Sequence, residues 1–179
     1  LKPEFKDYLS MTDPTTSGTT LFTVAGLVQS PKYGWEYLEK LKANGLKLEN
    51  GSSAVVNKAA AGEYKVSIGV DYIARTVMAQ GATVGFAYPE ADIPIIESPI
   101  AIIKNTKNPE AAKKLYDYII SVEGQSVLLE EFTMPINPDM KLENAIDVKV
   151  AEARMLPVDP AALVRDKLDM LQKFDAIFK

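Results

Sequence analysis

The chain has 179 residues and 47% hydrophobic content, which suits one globular domain or two small lobes. It contains neither cysteine nor histidine, and this excludes disulfides, thiolate catalysis, histidine-based triads and the usual zinc and copper sites. The net charge is −4 and lysines are scattered among acidic residues, so no nucleic-acid partner is indicated. No apolar run approaches the ~20 residues of a membrane span. Because the chain begins at Leu1 without a signal peptide, we interpret it as processed or as a fragment.

A loop rich in hydroxyl side chains follows the first predicted strand, residues 7–11. Residues 15–20, here called the hydroxyl loop, contain five hydroxyls and one glycine. Asp13-Pro14 ends the strand, since proline lacks a ladder donor and restricts the preceding residue. A helix is predicted over 19–29, and a helix start carries unpaired N–H groups and partial positive charge that attract anions. The loop is therefore either an ordinary N-cap or a binding site for a polar or anionic ligand.

Helices and strands then alternate along the chain. Helices are predicted at 33–43, 54–61 and 73–80, and strands at 46–48, 64–69 and 83–88. This order is typical of an α/β fold with a largely parallel sheet, in which ligands bind beyond the carboxyl ends of the strands. Three polar turns lie at such junctions, and we expect them to converge on one site. The candidate ligand-binding residues are Thr16, Ser17, Gly18, Thr19, Thr20, Ser52, Ser53, Asp71 and Tyr72.

Each later candidate also has a structural interpretation. Ser52 or Ser53 would cap the helix at 54–61, and Asp71 would cap the helix that starts at Ile73. Tyr72 is either a packing residue or a ligand contact. Beyond these, the sequence predicts the following elements: a crossing segment at 91–99, a strand at 100–103, helices at 110–121 and 122–132, a loop at 133–142 and an amphipathic helix at 160–178.

Several motifs together carry a family likeness. They are Asp13-Pro14-Thr15-Thr16-Ser17-Gly18-Thr19, residues 35–41, Gly62-Glu63, Tyr88-Pro89-Glu90, residues 100–113 and residues 121–125. In this order they resemble the extracellular solute-binding proteins of bacterial ABC importers, within the branch that binds iron(III), phosphorylated sugars and phosphonates. The resemblance implies a type II periplasmic-binding-protein-like fold with two lobes and a hinge. It assigns residues 1–92 to the second, ligand-binding lobe and 93–179 to a return to the first lobe with closing helices.

The same resemblance implies function and partners. The first part of lobe one, and with it half of the ligand cleft, would belong to an N-terminal half of the protein that is absent from this sequence. The protein would capture a small anionic or phosphorylated solute in an interlobe cleft, without a cofactor, and deliver it to a membrane permease. It would act in the periplasm or outside the cell, with a membrane anchor at the absent N-terminus as a further expectation. Asp71 would accept hydrogen bonds from ligand hydroxyls.

Other functions remain as alternatives. Iron(III) binders of this family carry two adjacent tyrosines near the position of Asp71-Tyr72, where this chain has one. The first alternative is an iron(III) carrier with Tyr72 as a metal ligand and an anion on residues 17–19. An enzyme is not expected, because no histidine can activate Ser17 and no spacing singles out Lys58 as a base. The effector-sensing domain of a transcription regulator shares the fold, but the importer-type motifs and long C-terminal helix favour the binding protein.

Overall fold

The computed structural model describes residues 1–179, which divide into two compact units. Unit 1 comprises Leu1–Ile95 and Arg154–Lys179, and unit 2 comprises Ile96–Ala153. The predicted boundary after residue 92 therefore lies near the end of the first segment. The assignment of 93–179 to one lobe differs from this division, because residues 154–179 pack within unit 1.

A three-stranded parallel sheet forms the centre of unit 1. Its strands are β1 (Leu9–Thr12), β2 (Lys47–Glu49) and β3 (Val66–Ile68), in the order β2-β1-β3. All four residues of β1 are buried. The buried Ser10 hydroxyl is hydrogen-bonded to Ser67 of β3 at 2.6 Å, which adds a side-chain link to the backbone ladder.

Helices surround this sheet, and three helices lie in unit 2. In unit 1 they are α1 (Gly18–Gln29), α2 (Gly34–Ala43), α3 (Ser52–Ala60), α4 (Asp71–Ala79) and α8 (Pro160–Phe178). In unit 2 they are α5 (Pro109–Ile120), α6 (Val122–Glu130) and the short α7 (Val148–Ala153), which the sequence did not predict. The α/β fold with a parallel sheet is thus confirmed. No helix combines the length and the apolar character that crossing a bilayer requires.

The C-terminal helix α8 belongs to unit 1 because its apolar face completes the main core. Its Phe174 and Phe178 stack at 4.4 Å between ring centroids. The buried core residues are Leu9, Met11, Val24, Ala25, Leu38, Leu41, Leu46, Met170, Phe174 and Phe178. Burial of these side chains stabilises unit 1 and requires α8 to lie against α1 and α2.

Two predicted strands are absent from the structure. Segments 83–88 and 100–103 adopt no strand conformation and pair with none of the three strands. The first is held by side chains instead, since Phe86 packs edge-to-face on Tyr88 and lies under the Arg75 guanidinium. The second ends in a turn at Ile103, whose side chain is exposed. An apolar run without a hydrogen-bonding neighbour does not form a ladder.

The two segments that lead to and from unit 2 are paired inside unit 1. The Ile93 N–H donates to the Arg154 carbonyl, and the Leu156 N–H donates to the Ile93 carbonyl, each at 2.8 Å. Asp92, just before this pairing, has a left-handed φ of 57°. Its carboxylate accepts hydrogen bonds from Lys32 and from the Tyr33 hydroxyl. These contacts fix both segments to unit 1.

Candidate ligand-binding site

The three strands of unit 1 end at one edge of the sheet, and a helix begins after each. Since the strands are parallel, the starts of α1, α3 and α4 all follow carboxyl ends at this edge. A helix start presents unpaired N–H groups and partial positive charge. All nine predicted site residues lie in these three strand-to-helix junctions or the first turns that follow them.

The hydroxyl loop and the start of α3 form one cluster of hydroxyl groups. Ser17 is the N-cap of α1, and its Oγ accepts a hydrogen bond from the Thr20 N–H at 3.3 Å. The same Oγ is hydrogen-bonded to Thr19 Oγ1 at 2.7 Å and to Ser52 Oγ at 3.3 Å. Ser17 therefore serves as an ordinary cap and also joins two helix starts.

Gly18 and Thr16 flank this cluster. A methyl group added at Gly18 would meet no heavy atom within 4 Å, so the first residue of α1 is open to an approaching ligand. The exposed Thr16 donates from its hydroxyl and from its backbone N–H to the Asp13 carbonyl, each at 3.0 Å. Thr16 thus stabilises the turn before the cluster and is not hydrogen-bonded to it.

The prediction that Ser52 or Ser53 caps α3 is wrong. The N-cap is Gly51, whose φ of 85° suits glycine, and it has no side chain to accept a hydrogen bond. Because the helix begins at Ser52, both serines lie in its first turn. The Ser52 hydroxyl points to Ser17, while Ser53 is exposed.

Helix α4 also begins earlier than predicted, at Asp71, and its N-cap is Val70. Asp71 is therefore the first helical residue and not the cap of a helix that starts at Ile73. Its Oδ1 accepts a hydrogen bond from the Tyr72 N–H at 2.9 Å, and its Oδ2 accepts one from the Tyr88 hydroxyl at 2.8 Å. The Tyr72 side chain is exposed. No hydrogen bond or ion pair joins Asp71 or Tyr72 to the Ser17–Ser52 cluster.

Tyr88 contacts the candidate site through Asp71, although the sequence did not identify it as a candidate. The motif Tyr88-Pro89-Glu90 was visible, but no local pattern indicates that its phenol reaches the start of α4. Burial raises the pKa of the Tyr88 hydroxyl, and its hydrogen bond to Asp71 raises it further, while Arg75 opposes the shift. The phenol therefore stays protonated and donates to the Asp71 carboxylate at neutral pH.

The carboxylates at the ends of β1 and β2 are both compensated. Burial raises the pKa of Asp13, but hydrogen bonds from Thr15 and the Lys179 ammonium outweigh burial and lower it overall. The pKa of Glu49 is lowered by hydrogen bonds from Tyr64 and from Lys58. The hydrogen bond to Glu49 raises the pKa of the Lys58 amine, which makes Lys58 a poor general base. Paired in this way, the two carboxylates oppose an incoming anion less than free ones would.

The structure contains no cluster of three or more acidic side chains that could hold a metal ion. Tyr72 and Asp71 supply adjacent oxygen donors at the start of α4, but Asp71 already accepts two hydrogen bonds there.

A comparison with known protein families identifies the family of this chain. Residues 1–159 match the model of a family described as bacterial extracellular solute-binding proteins. The chain belongs to this family. The solute-binding protein has no match among curated proteins. Its family is defined by solute binding and not by an enzymatic reaction, and its members are extracellular.

Solved structures with the same fold include two bacterial proteins. One is the substrate-binding protein of the ABC transporter from Agrobacterium tumefaciens, with a TM-score of 0.73 and 15% identity; the match covers 98% of this chain and 55% of that one. Another is iron-bound HitA from Pseudomonas aeruginosa, with a TM-score of 0.74 and 19% identity, covering 97% of this chain and 58% of that one.

A third structure with this fold is described as a signalling protein. It is a two-component system protein that mediates signal transduction, with a TM-score of 0.63 and 18% identity, and the match covers 96% of this chain and 59% of that one. At these identities the three structures establish the fold of the solute-binding protein. This chain spans between 55% and 59% of their lengths.

Proposed function

We propose that this chain is part of the solute-binding component of an ABC importer and that it binds a small anionic or phosphorylated solute. The observation that carries the proposal is the hydroxyl cluster in which Ser17 links Thr19 of α1 to Ser52 of α3. Two helix starts with partial positive charge meet there, and hydroxyls and backbone N–H groups are the donors that anion sites use.

Ligand binding would exchange hydrogen bonds within the cluster. The hydroxyls of Ser17, Thr19 and Ser52 are now satisfied by one another. A phosphate oxygen would accept from each of them, and Gly18 leaves the backbone of α1 accessible to it. Each such bond is charge-assisted and therefore stronger than the neutral hydroxyl pair it replaces.

The start of α4 would bind a different part of the solute. The Asp71 carboxylate lies in the first turn of α4, where it takes the place of an external anion. The start of α4 therefore favours a solute group that donates a hydrogen bond. Asp71 accepts hydrogen bonds from Tyr72 and Tyr88, and a carboxylate can accept about four. We therefore propose that solute hydroxyls donate to Asp71 while the anionic group lies between α1 and α3, without a cofactor.

A further segment of the protein would complete the solute site. Unit 2 leaves large apolar side chains exposed, among them Ile103, Leu115 and Ile136. The solved structures of the same fold are longer than this chain. We propose that an additional, N-terminal half of the protein covers these residues and supplies the second face of a hinged cleft. The solute-loaded protein would then meet a membrane permease in the periplasm or outside the cell.

Isothermal titration calorimetry on the full-length protein tests the proposal. We expect heat with sugar phosphates or phosphonates, and Ser17→Ala should weaken binding by about tenfold or more, since one hydrogen bond to a charged group contributes about 1.5–3 kcal/mol. Ser126→Ala is the matched control, because the hydroxyl of that serine donates only to the Val122 carbonyl of its own helix. Absence of heat with these anions, combined with tight iron(III) binding, would overturn the proposal.

An iron(III) carrier is the second candidate. It is favoured by the exposed phenol of Tyr72 next to the Asp71 carboxylate and by the iron-bound state of one structure with this fold. Iron loading should then give a visible tyrosinate-to-iron absorption band that Tyr72→Phe removes. No such band after iron loading would eliminate this candidate.

A further inference from the structure

Asp13 organises the turn that leads from β1 into the hydroxyl loop. Its Oδ1 accepts hydrogen bonds from the Thr15 N–H at 2.8 Å and the Thr15 hydroxyl at 2.6 Å. Its backbone N–H donates to the Glu49 carbonyl at 2.8 Å, which ties the turn to the end of β2. The Asp13 side chain is only 8% exposed, so its negative charge is poorly screened by water.

One cation from the far end of the chain compensates this charge. Lys179 Nζ lies 3.2 Å from Asp13 Oδ2 and 2.9 Å from Asp175 Oδ1. The preceding residue, Phe178, is buried in the core and fixes the end of α8 beside the turn. Lys42 and Lys47 line the same cavity of about 380 Å³, but Lys42 Nζ donates to the Phe178 carbonyl. Lys179 is therefore the ammonium paired with the Asp13 carboxylate.

We infer that Lys179 is a positioning residue for the anion site: by compensating Asp13 it keeps the turn before Ser17 ordered and removes a negative charge from the approach of the solute. This inference rests on the proposed anion-binding function. Without Lys179, the partly buried carboxylate either repels the solute or takes up a proton and weakens its bonds to Thr15. Both changes lower the affinity for an anion.

Four variants of the full chain separate this role from general packing. Lys179→Met removes the cation, and Lys179→Arg restores it. Lys167→Met is the control, because it removes the same charge from an exposed position of α8. Asp13→Asn combined with Lys179→Met removes both charges while the amide oxygen can still accept from Thr15. Binding is measured with inorganic phosphate by calorimetry, and turn order by hydrogen exchange of the Thr15 and Thr16 amides.

Lys179→Met should weaken phosphate binding about fivefold, the upper range for a partly exposed ion pair, and speed exchange at Thr15. Lys179→Arg and the double variant should both recover affinity, whereas Lys167→Met should match the original protein. Equal affinity and equal exchange in Lys179→Met and Lys167→Met would overturn the inference. Failure of the unsubstituted protein to bind phosphate would count against the proposed function instead, and the exchange rates would then decide whether Lys179 orders the turn.

Discussion

Ser10 and Ser67 bring two hydroxyls within 2.6 Å of each other across β1 and β3, inside a sheet that is otherwise held by backbone hydrogen bonds. Ser10 is fully buried, so its hydroxyl has no access to water. The pair satisfies both groups and favours the register in which Ser10 faces Ser67.

Substitution of both partners should cost less stability than the two single substitutions added together. Ser10→Ala leaves the Ser67 hydroxyl without its partner, and we expect it to lower the free energy of unfolding by about 1–3 kcal/mol. Ser10→Ala combined with Ser67→Ala should cost less than the sum of the single changes. Urea denaturation measures all three values, with Ser126→Ala as a control that removes only a hydrogen bond within one helix. Strict additivity would show that the two hydroxyls do not stabilise each other.

Tyr88 should make stability depend on pH in the alkaline range. Burial raises the pKa of its hydroxyl above the ordinary value of 10.0. Because the pKa is higher in the folded state, the contribution of the protonated phenol to stability is complete below about pH 10. This contribution is lost as the pH rises toward the pKa of the folded state. Tyr88→Phe should therefore reduce the loss of stability above pH 10, and should cost about 1–2 kcal/mol at pH 7 through the lost bond to Asp71.

The measurement for Tyr88 is the urea midpoint between pH 7 and pH 11. Tyr118→Phe is a suitable control, because this exposed tyrosine makes no side-chain hydrogen bond. If Tyr88→Phe and the original protein lose stability in parallel above pH 10, the phenol does not contribute in this way.

Glu49 should make stability depend on pH in the acidic range, and the dependence should have the opposite sign to that of Tyr88. Hydrogen bonds from Tyr64 and Lys58 lower the pKa of its carboxyl below the ordinary value of 4.5. Because the pKa is lower in the folded state, the Glu49 carboxylate stabilises the fold at a pH above the pKa of the unfolded state. This stabilisation is lost as the pH falls through the pKa of the folded state. Glu49→Gln should cost about 1 kcal/mol at pH 7 and flatten the decline of stability below pH 4.5. Thermal unfolding followed from pH 7 to pH 3 checks this, and an unchanged acid decline would contradict it.

Substitution of Phe174 tests the assignment of α8 to unit 1. Its side chain is fully buried and stacks on Phe178, so Phe174→Ala should lower the free energy of unfolding by about 3–5 kcal/mol. Leu168→Ala on the same helix should cost under about 1 kcal/mol, because Leu168 is 73% exposed. Similar costs for the two substitutions, measured by urea denaturation, would contradict the packing of α8 against the core.

Local periodicity was sufficient to predict most of the elements. The helices α1, α2, α5 and α8 follow their apolar spacing closely, because each needs only one buried face. Segments 83–88 and 100–103 show the limit of this method: β-prone composition does not form a strand unless another strand lies alongside it.

The candidate site was only partly predictable for a similar reason. Hydroxyls and glycine at strand-to-helix junctions could be seen locally, and parallel topology brings these junctions to one edge. The starts of α3 and α4 were displaced because glycine and valine serve as caps without side-chain bonds. The contacts of Tyr88 with Asp71 and of Lys179 with Asp13 depend on tertiary packing, which spacing does not encode.

The backbone pairing of Ile93 with Arg154 and Leu156 has a consequence for engineering. Because the N–H of Ile93 and the carbonyl of Arg154 are 2.8 Å apart, a peptide of a few residues could join residue 95 directly to residue 154. Excision of residues 96–153 would then leave a shortened protein that retains the sheet, its core and the three helix starts, and that could be produced and studied by itself.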